Sequence, residues 1–191
     1  IEGYRFGGGE KSACIVGALR GNEIQQLYIC SQLVKALKEL EAHGAISHNH
    51  EILVIPSVNR FSMNVGKRFW PTDNSDINRA FPGDVNGDTT KQIAGTLFDR
   101  IKGYSYGIHF ASFYMPGDFI PHVKMMDTGF QSASLANLFG LQYVVIRKPK
   151  PMDTVTLNYN WQMNGTNAFS IYTNSTDMID EKSARQAVSS V

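Results

Sequence analysis

Cysteine is scarce in this sequence. Of 191 residues only Cys14 and Cys30 are cysteine, too few for a disulfide framework, and both read as buried free thiols in a reducing cytosol. A surplus of charge of one sign is also missing. Eighteen basic residues face seventeen acidic ones, for a net charge of +1, so no basic field exists to grip nucleic acid. No apolar run approaches the roughly 20 residues needed to cross a bilayer. The opening Ile1-Glu2-Gly3 runs into polar, glycine-rich chain rather than a secretory leader. A cytoplasmic protein is therefore expected, with the Asn164-Gly165-Thr166 and Asn174-Ser175-Thr176 sequons unused. What is present is globular: 42% hydrophobic and 18% charged residues, in a chain of one domain's length.

Strand-like and helix-like stretches alternate. Residues 12–18 carry the apolar run Ala13-Cys14-Ile15-Val16 and read as a buried strand. Residues 23–41 read as a helix, with Ile24, Leu27, Tyr28, Val34, Leu37 and Leu40 spaced along one face and Gly44 as a stop. A second strand spans 51–55, ended by Pro56. Residues 57–90 form a long Gly-, Pro-, Asn- and Asp-rich stretch of the kind usually kept for function. A helix follows over 90–101, capped by Thr89 or Thr90, then a strand over 106–113. A short helix over 133–139, strands over 141–147 and 168–173, and a final helix from 180 complete the pattern. The alternation predicts an α/β fold: a three-layer α/β/α arrangement around a mostly parallel or mixed sheet, with ligands at the carboxyl ends of the strands. The aromatic residues Tyr104, Tyr106, Phe110, Phe113 and Tyr114 read as core and pocket wall rather than a base-stacking platform.

Three segments carry candidate chemistry. Leu19-Arg20-Gly21-Asn22-Glu23 lies between the first strand and the first helix, where the glycine allows a sharp turn and Glu23 suits the helix dipole. Residues 68–83 place Arg68 and Arg79 around Asp76 and Asn78, ending Asp76-Ile77-Asn78-Arg79-Ala80-Phe81-Pro82-Gly83. Arginine forks bind carboxylates through paired hydrogen bonds, and Asp76 would orient one of them. The third segment is Gly107-Ile108-His109 at a strand end, followed by Met115-Pro116-Gly117-Asp118-Phe119-Ile120-Pro121-His122.

In order and spacing these segments resemble the succinylglutamate desuccinylase/aspartoacylase family, a branch of the zinc-carboxypeptidase-like fold. That family shows a His-Gly-x-Glu turn, an Asp-Leu-Asn-Arg-x-Phe-x-Gly-like loop, an Asp-Leu-His strand end and a later Glu-x-Gly. Their counterparts here are Arg20-Gly21-Asn22-Glu23, the block from Asp76 to Gly83, Gly107-Ile108-His109 and the stretch Ser170-Ile171-Tyr172-Thr173-Asn174. The resemblance covers nearly the whole chain, read as one domain over 1–191 that lacks the family's C-terminal β-rich segment. It implies a zinc-dependent amidohydrolase of N-acyl amino acids. Glu23 and His109 would be metal ligands, and Arg68, Asp76, Asn78 and Arg79 would form the substrate-binding group.

Three departures fall on the chemistry. Arg20 stands at the first ligand position, and a guanidinium has no lone pair to give a metal. Gly107 replaces the Asp that would orient the ligand His. Tyr172 stands at the general-base position, where a phenol with pKa about 10 is a poor base at neutral pH. Two readings stay open. One is a metal-dependent hydrolase of amide bonds, using Glu23, His109 and a third ligand such as His122. The other is a non-catalytic relative in which Arg20 pairs with Glu23, and Arg68, Asn78 and Arg79 bind a small carboxylate ligand.

Overall fold

The computed structural model describes residues 1–115 and 117–191, apart from the side chain of Ser175. Pro116, within the segment leading to His122, lies outside the described residues. The strands are β1 (Tyr4–Gly7), β2 (Glu10–Ala18), β3 (His50–Ser57), β4 (Tyr106–Phe113), β5 (His122–Met126), β6 (Tyr143–Arg147) and β7 (Asn167–Ser175). They form one sheet in the order β1-β3-β2-β4-β7-β5-β6. The centre is parallel, while β1 runs antiparallel to β3 and β5 antiparallel to β7. The mixed sheet expected from the sequence is present.

The helices are α1 (Ile24–Ala42), α2 (Arg60–Asn64), α3 (Thr89–Ile101), α4 (Leu157–Met163) and α5 (Glu181–Ser190). Short 3-10 turns span Ile77–Arg79, Ala133–Phe139 and Pro151–Asp153. Alternate strand residues feed two cores. Ile15, Val54, Ile108, Phe169 and Ile171 meet Ile29, Leu33 and Leu37 of α1 and Ala184 of α5 on one face. Cys14, Val16, Ile55 and Ala168 meet Leu97 and Phe98 of α3 and Leu157 and Trp161 of α4 on the other. Helices on both faces of the sheet make the three layers.

Local details correct the sequence reading. The buried face of α1 is Gln25, Gln26, Ile29, Cys30, Leu33, Val34 and Leu37, while Ile24 and Leu40 are exposed. Two buried glutamines turn the helix. Gln25 bonds Ser183 Oγ and the backbone of Asp180, and Gln26 donates to Ser112 Oγ. These bonds make it favourable to bury residues that look like surface. Asp88, not a threonine, caps α3 by accepting from the Lys91 N–H. Pro56 does not end β3: Ser57 still registers with Ala18 of β2, and the Val58 N–H donates to the Ala18 carbonyl at 2.8 Å. The stretch 57–90 holds α2 and one 3-10 turn. β1, β5 and α4 carry no alternation or helical stripe strong enough to predict them.

Candidate functional site

The candidate site is a cleft of about 320 Å³ where the 19–23 turn, the 68–79 loop and the floor of β4, β7 and β5 converge. It brings together Arg20, Glu23, Arg68, Asp76, Asn78, Arg79, His109 and Tyr172 from the three sequence segments and β7. Gly21 makes the first convergence possible. A Cβ there would lie 2.1 Å from the Lys67 carbonyl oxygen and 2.6 Å from Ser62, while its own N–H donates to the Arg68 carbonyl at 2.9 Å. The glycine is needed for this close approach, not for the sharp turn expected from the sequence.

Arg20 organises the near wall. Its Nε and Nη2 make a two-pronged bond to Asp76 at 3.0 and 2.8 Å, and Nη1 reaches Glu23 Oε1 at 2.9 Å. Nη1 also donates to the Tyr114 hydroxyl at 2.6 Å, and that hydroxyl donates to Glu23 Oε1 at 2.9 Å. The other Glu23 oxygen accepts the backbone N–H groups of Leu19 and Arg20 at 2.8 and 3.0 Å. All of this is shielded, with the side chains of Arg20, Glu23 and Asp76 only 12, 2 and 15% exposed. Burial opposes the Arg20 charge, but the Glu23 charge and the Asp76 bonds outweigh it and push its pKa up. Burial, helped by Glu23, likewise holds the Tyr114 phenol protonated far above neutrality.

The remaining predicted residues have separate tasks. Asp76 orients the Arg20 guanidinium rather than that of Arg68 or Arg79, and caps the 77–79 turn by accepting the Asn78 N–H at 2.9 Å. Asn78 Oδ1 accepts the Leu157 N–H at 3.1 Å, tying the loop to α4. Arg79 spends one N–H on the Met152 carbonyl at 2.9 Å. Arg68 stacks its guanidinium 3.7 Å from the Tyr114 ring centre, with its buried Nε unpartnered. His109 is 5% exposed and its Nε2 also has no partner. Burial drives its pKa down to about 4, Glu23 opposing and Arg20 assisting, so the imidazole is neutral at physiological pH. Burial raises the Tyr172 phenol, which is therefore no base near neutrality. Gly107 faces Trp161: a Cβ there would sit 2.7 Å from the indole. The space over Gly107 is filled by a ring.

His122 does not join Glu23 and His109. Its ring stacks on Tyr172 with centroids 5.2 Å apart, and its Nδ1 lies 3.0 Å from the Ile120 carbonyl. Among the described residues no three His, Cys, Asp or Glu side chains are grouped so as to hold a metal ion. That corrects the rearranged triad with His122 as a third ligand.

Sequence reasoning missed the far wall. Arg147 grips Asp153 with two bonds of 2.6 and 2.7 Å, and the Lys150 N–H adds a third at 2.7 Å. Lys124 sits on the floor with its Nζ 5.1 Å from the Tyr172 ring centre. Asn158 donates to Ser170 Oγ at 2.7 Å. The only signal in the sequence was Lys148-Pro149-Lys150-Pro151 after an apolar run, which marks a turn and not its chemistry. The Arg147 bonds hold the Asp153 carboxyl down at about 2 against the cost of burial. A carboxylate bound more tightly in the folded state stabilises above its unfolded pKa, near 3.9, and loses that contribution as pH falls toward 2. Arg147 is one-third exposed, which reduces the effect to about 1–2 kcal/mol. Arg147→Met is expected to flatten the stability difference between pH 6 and pH 2.5 by that amount in urea titrations.

A sequence model described as the succinylglutamate desuccinylase/aspartoacylase catalytic domain matches residues 10–186. A curated protein of Halomonas elongata named N-alpha-acetyl-L-2,4-diaminobutyric acid deacetylase is 28% identical over 90 residues, 47% of this chain and 24% of that protein. The crystal structure of a succinylglutamate desuccinylase/aspartoacylase from Rhodobacter sphaeroides superposes with a TM-score of 0.76 at 20% identity, over 96% of this chain and 54% of the other. A metallo-carboxypeptidase from Burkholderia cenocepacia gives 0.74 at 12% identity, over 98% of this chain and 58% of the other. Those two likenesses show the fold, and the chain spans little more than half the length of each solved relative. With the family match running through nearly every element that builds the cleft, the chain belongs to the succinylglutamate desuccinylase/aspartoacylase family.

Proposed function

We propose that this domain binds a small carboxylate-bearing molecule, of the N-acyl amino acid class, at a cleft where an internal arginine has replaced zinc. In this reading residues 1–191 form one α/β domain that works in the cytoplasm, with Cys14 and Cys30 as buried free thiols. One observation carries the reading: both oxygens of Glu23 are already used, by two backbone N–H groups, the Tyr114 hydroxyl and the Arg20 guanidinium. A zinc ligand must offer a free lone pair, and a site needs at least three such ligands. Here His109 Nε2 is one free donor atom, Glu23 is saturated, and Arg20 supplies a positive charge. This donor set does not fit a divalent ion, and Tyr172 does not fit a base. The amide-hydrolysing chemistry implied by the family is therefore not assigned to this chain.

The anion-binding group supports the same reading. Arg68 and Arg79 line the cleft, and among the described residues neither is paired with a carboxylate. Both have N–H groups left to give. The Halomonas relative, by its name, acts on an acetylated amino acid, which is the class of ligand proposed. Titration calorimetry with N-acetylglycine tests this. Binding is expected, and Arg79→Ala is expected to weaken it about 10- to 100-fold, the worth of one charge-assisted bond. Metal analysis after dialysis against zinc is expected to find far less than one ion per chain. One zinc per chain, lost in Glu23→Ala and accompanied by release of glycine from N-acetylglycine, would overturn the proposal and return the domain to the hydrolases.

A further inference from the structure

The sheet is finished differently at its two ends. β1 is four residues long, and Arg5 stands out from it with its side chain 72% exposed. Such a short, charged margin keeps other chains off. β6 has no such guard. Its register with β5 runs from Tyr143 to Arg147 without a shift. It holds no proline, and its one charge, Arg147, is committed to Asp153. Yet Tyr143, Val145 and Ile146 are 48, 41 and 45% exposed. Among the described residues no strand lies on its outer side. The Arg147 carbonyl accepts the Asp127 N–H at 2.9 Å. Tyr143, Val145 and Arg147 therefore turn their backbone groups to β5, while Val144 and Ile146 turn theirs outward. Among the described residues nothing bonds these outward groups.

We infer that β6 is a pairing edge for a second copy of this chain, joined antiparallel about a two-fold axis through Val145. The strand is self-complementary in that register. Val144 meets Ile146 of the second copy, and because both face outward they exchange both N–H···O=C bonds. Val145 meets its own copy, and Tyr143 meets Arg147, a ring against a guanidinium. No like charges face each other. Moving the centre to Val144 or Ile146 pairs only part of the strand and sets Tyr143 or Arg147 against Val145. Pairing stops beyond Arg147, whose guanidinium takes the Lys148 carbonyl at 3.1 Å. Opposed residues of an antiparallel pair share a face, so the two sheets become one with both clefts on the same side. Tyr143 of one copy then packs on the Arg147 that holds Asp153 in the other, at the cleft wall. The pairing does not depend on what the cleft binds.

One strand pair buries less than the roughly 800 Å² per partner of a stable complex. The association is therefore expected to be weak, with a dissociation constant of about 10–100 µM. Sedimentation equilibrium from about 5 µM to about 500 µM is expected to show a reversible monomer–dimer equilibrium. Ile146→Pro is expected to stay monomeric over that range, since it removes an outward N–H and leaves the ladder to β5 whole. Disulfide trapping reads the register and guards against a folding artefact in the proline variant. Val145→Cys places a thiol opposite its own copy, with Cα atoms about 4.5 Å apart, a separation that a disulfide spans. Under diamide it is expected to give a linked dimer at least about 10-fold faster than Tyr143→Cys, which faces Arg147 instead. Cys14 and Cys30 are buried and do not compete. A monomer at every concentration overturns the proposal, as does a dimer that Ile146→Pro leaves intact. Equal cross-linking of the two cysteine variants overturns it as well.

Discussion

Arg20→Met is expected to destabilise the protein by about 3–5 kcal/mol, the usual penalty for stripping one partner from a buried ion pair. The cost is not the loss of attraction alone. Glu23 and Asp76 would keep their charges in a shielded cleft with side chains 2 and 15% exposed, and a carboxylate without its cation there is poorly solvated. Arg20→Lys is expected to recover only part of the loss, because an ammonium cannot reproduce the two-pronged bond to Asp76 together with the bond to Glu23. The informative rescue removes the anions as well. In Arg20→Met/Glu23→Gln/Asp76→Asn, the single amide oxygen at position 23 can still accept the backbone N–H groups of positions 19 and 20, and its NH₂ can face the Tyr114 hydroxyl. That triple variant is expected to regain more than half of the lost stability. Urea unfolding followed by Trp fluorescence measures all three. A penalty below about 1 kcal/mol for Arg20→Met would place the guanidinium outside the Glu23–Asp76 pocket.

Gly107→Asp, which introduces the Asp that the family resemblance implies two residues before the histidine, is expected to prevent folding or to cost at least about 5 kcal/mol. Two terms add. The Cβ alone would lie 2.7 Å from the Trp161 indole, and the ring is fully buried between α3 and the sheet. Forcing atoms into such a contact typically costs about 1–3 kcal/mol. The carboxylate would then be sealed against a ring with no cation beside it, which adds several more. Gly107→Ala isolates the first term and is expected to cost about 1–3 kcal/mol. Pairing Gly107→Ala with Trp161→Leu is expected to cost less than the sum of the two single changes, because the two positions contest one space. Strict additivity in thermal or urea unfolding would show that they do not meet.

The fold was legible in the sequence wherever pattern and burial agree. The runs in β2 and β4 are apolar and short, and the amphipathic spacing of α3 is clean, so each was readable from spacing alone. α1 was readable as a helix but not as to its buried face, because Gln25 and Gln26 look like surface and their partners, Ser112 and Ser183, lie 86 and 158 residues away. β5 escaped because its alternation, His122-Val123-Lys124-Met125, lasts only four residues before Met126 breaks it. With it went Lys124 and the far wall. The near wall was readable through the block from Asp76 to Gly83, and the idea that Arg20 pairs with Glu23 follows from their three-residue spacing. The two-pronged bond of Arg20, to Asp76, spans 56 residues and had no local trace. Nor did the choice of Trp161 to fill the space beside Gly107.

The Arg20 fork is also a strut. It joins the turn after β2 to the Ile77–Arg79 turn, and through Asn78 and Leu157 that turn is fastened to α4. The gap between the two loops is set by the reach of this arginine together with the Gly21 N–H bond to the Arg68 carbonyl. The bond that balances the charge inside the cleft thus also ties its two walling turns together. A shorter side chain at position 20 would alter the gauge of the entrance as well as its electrostatics.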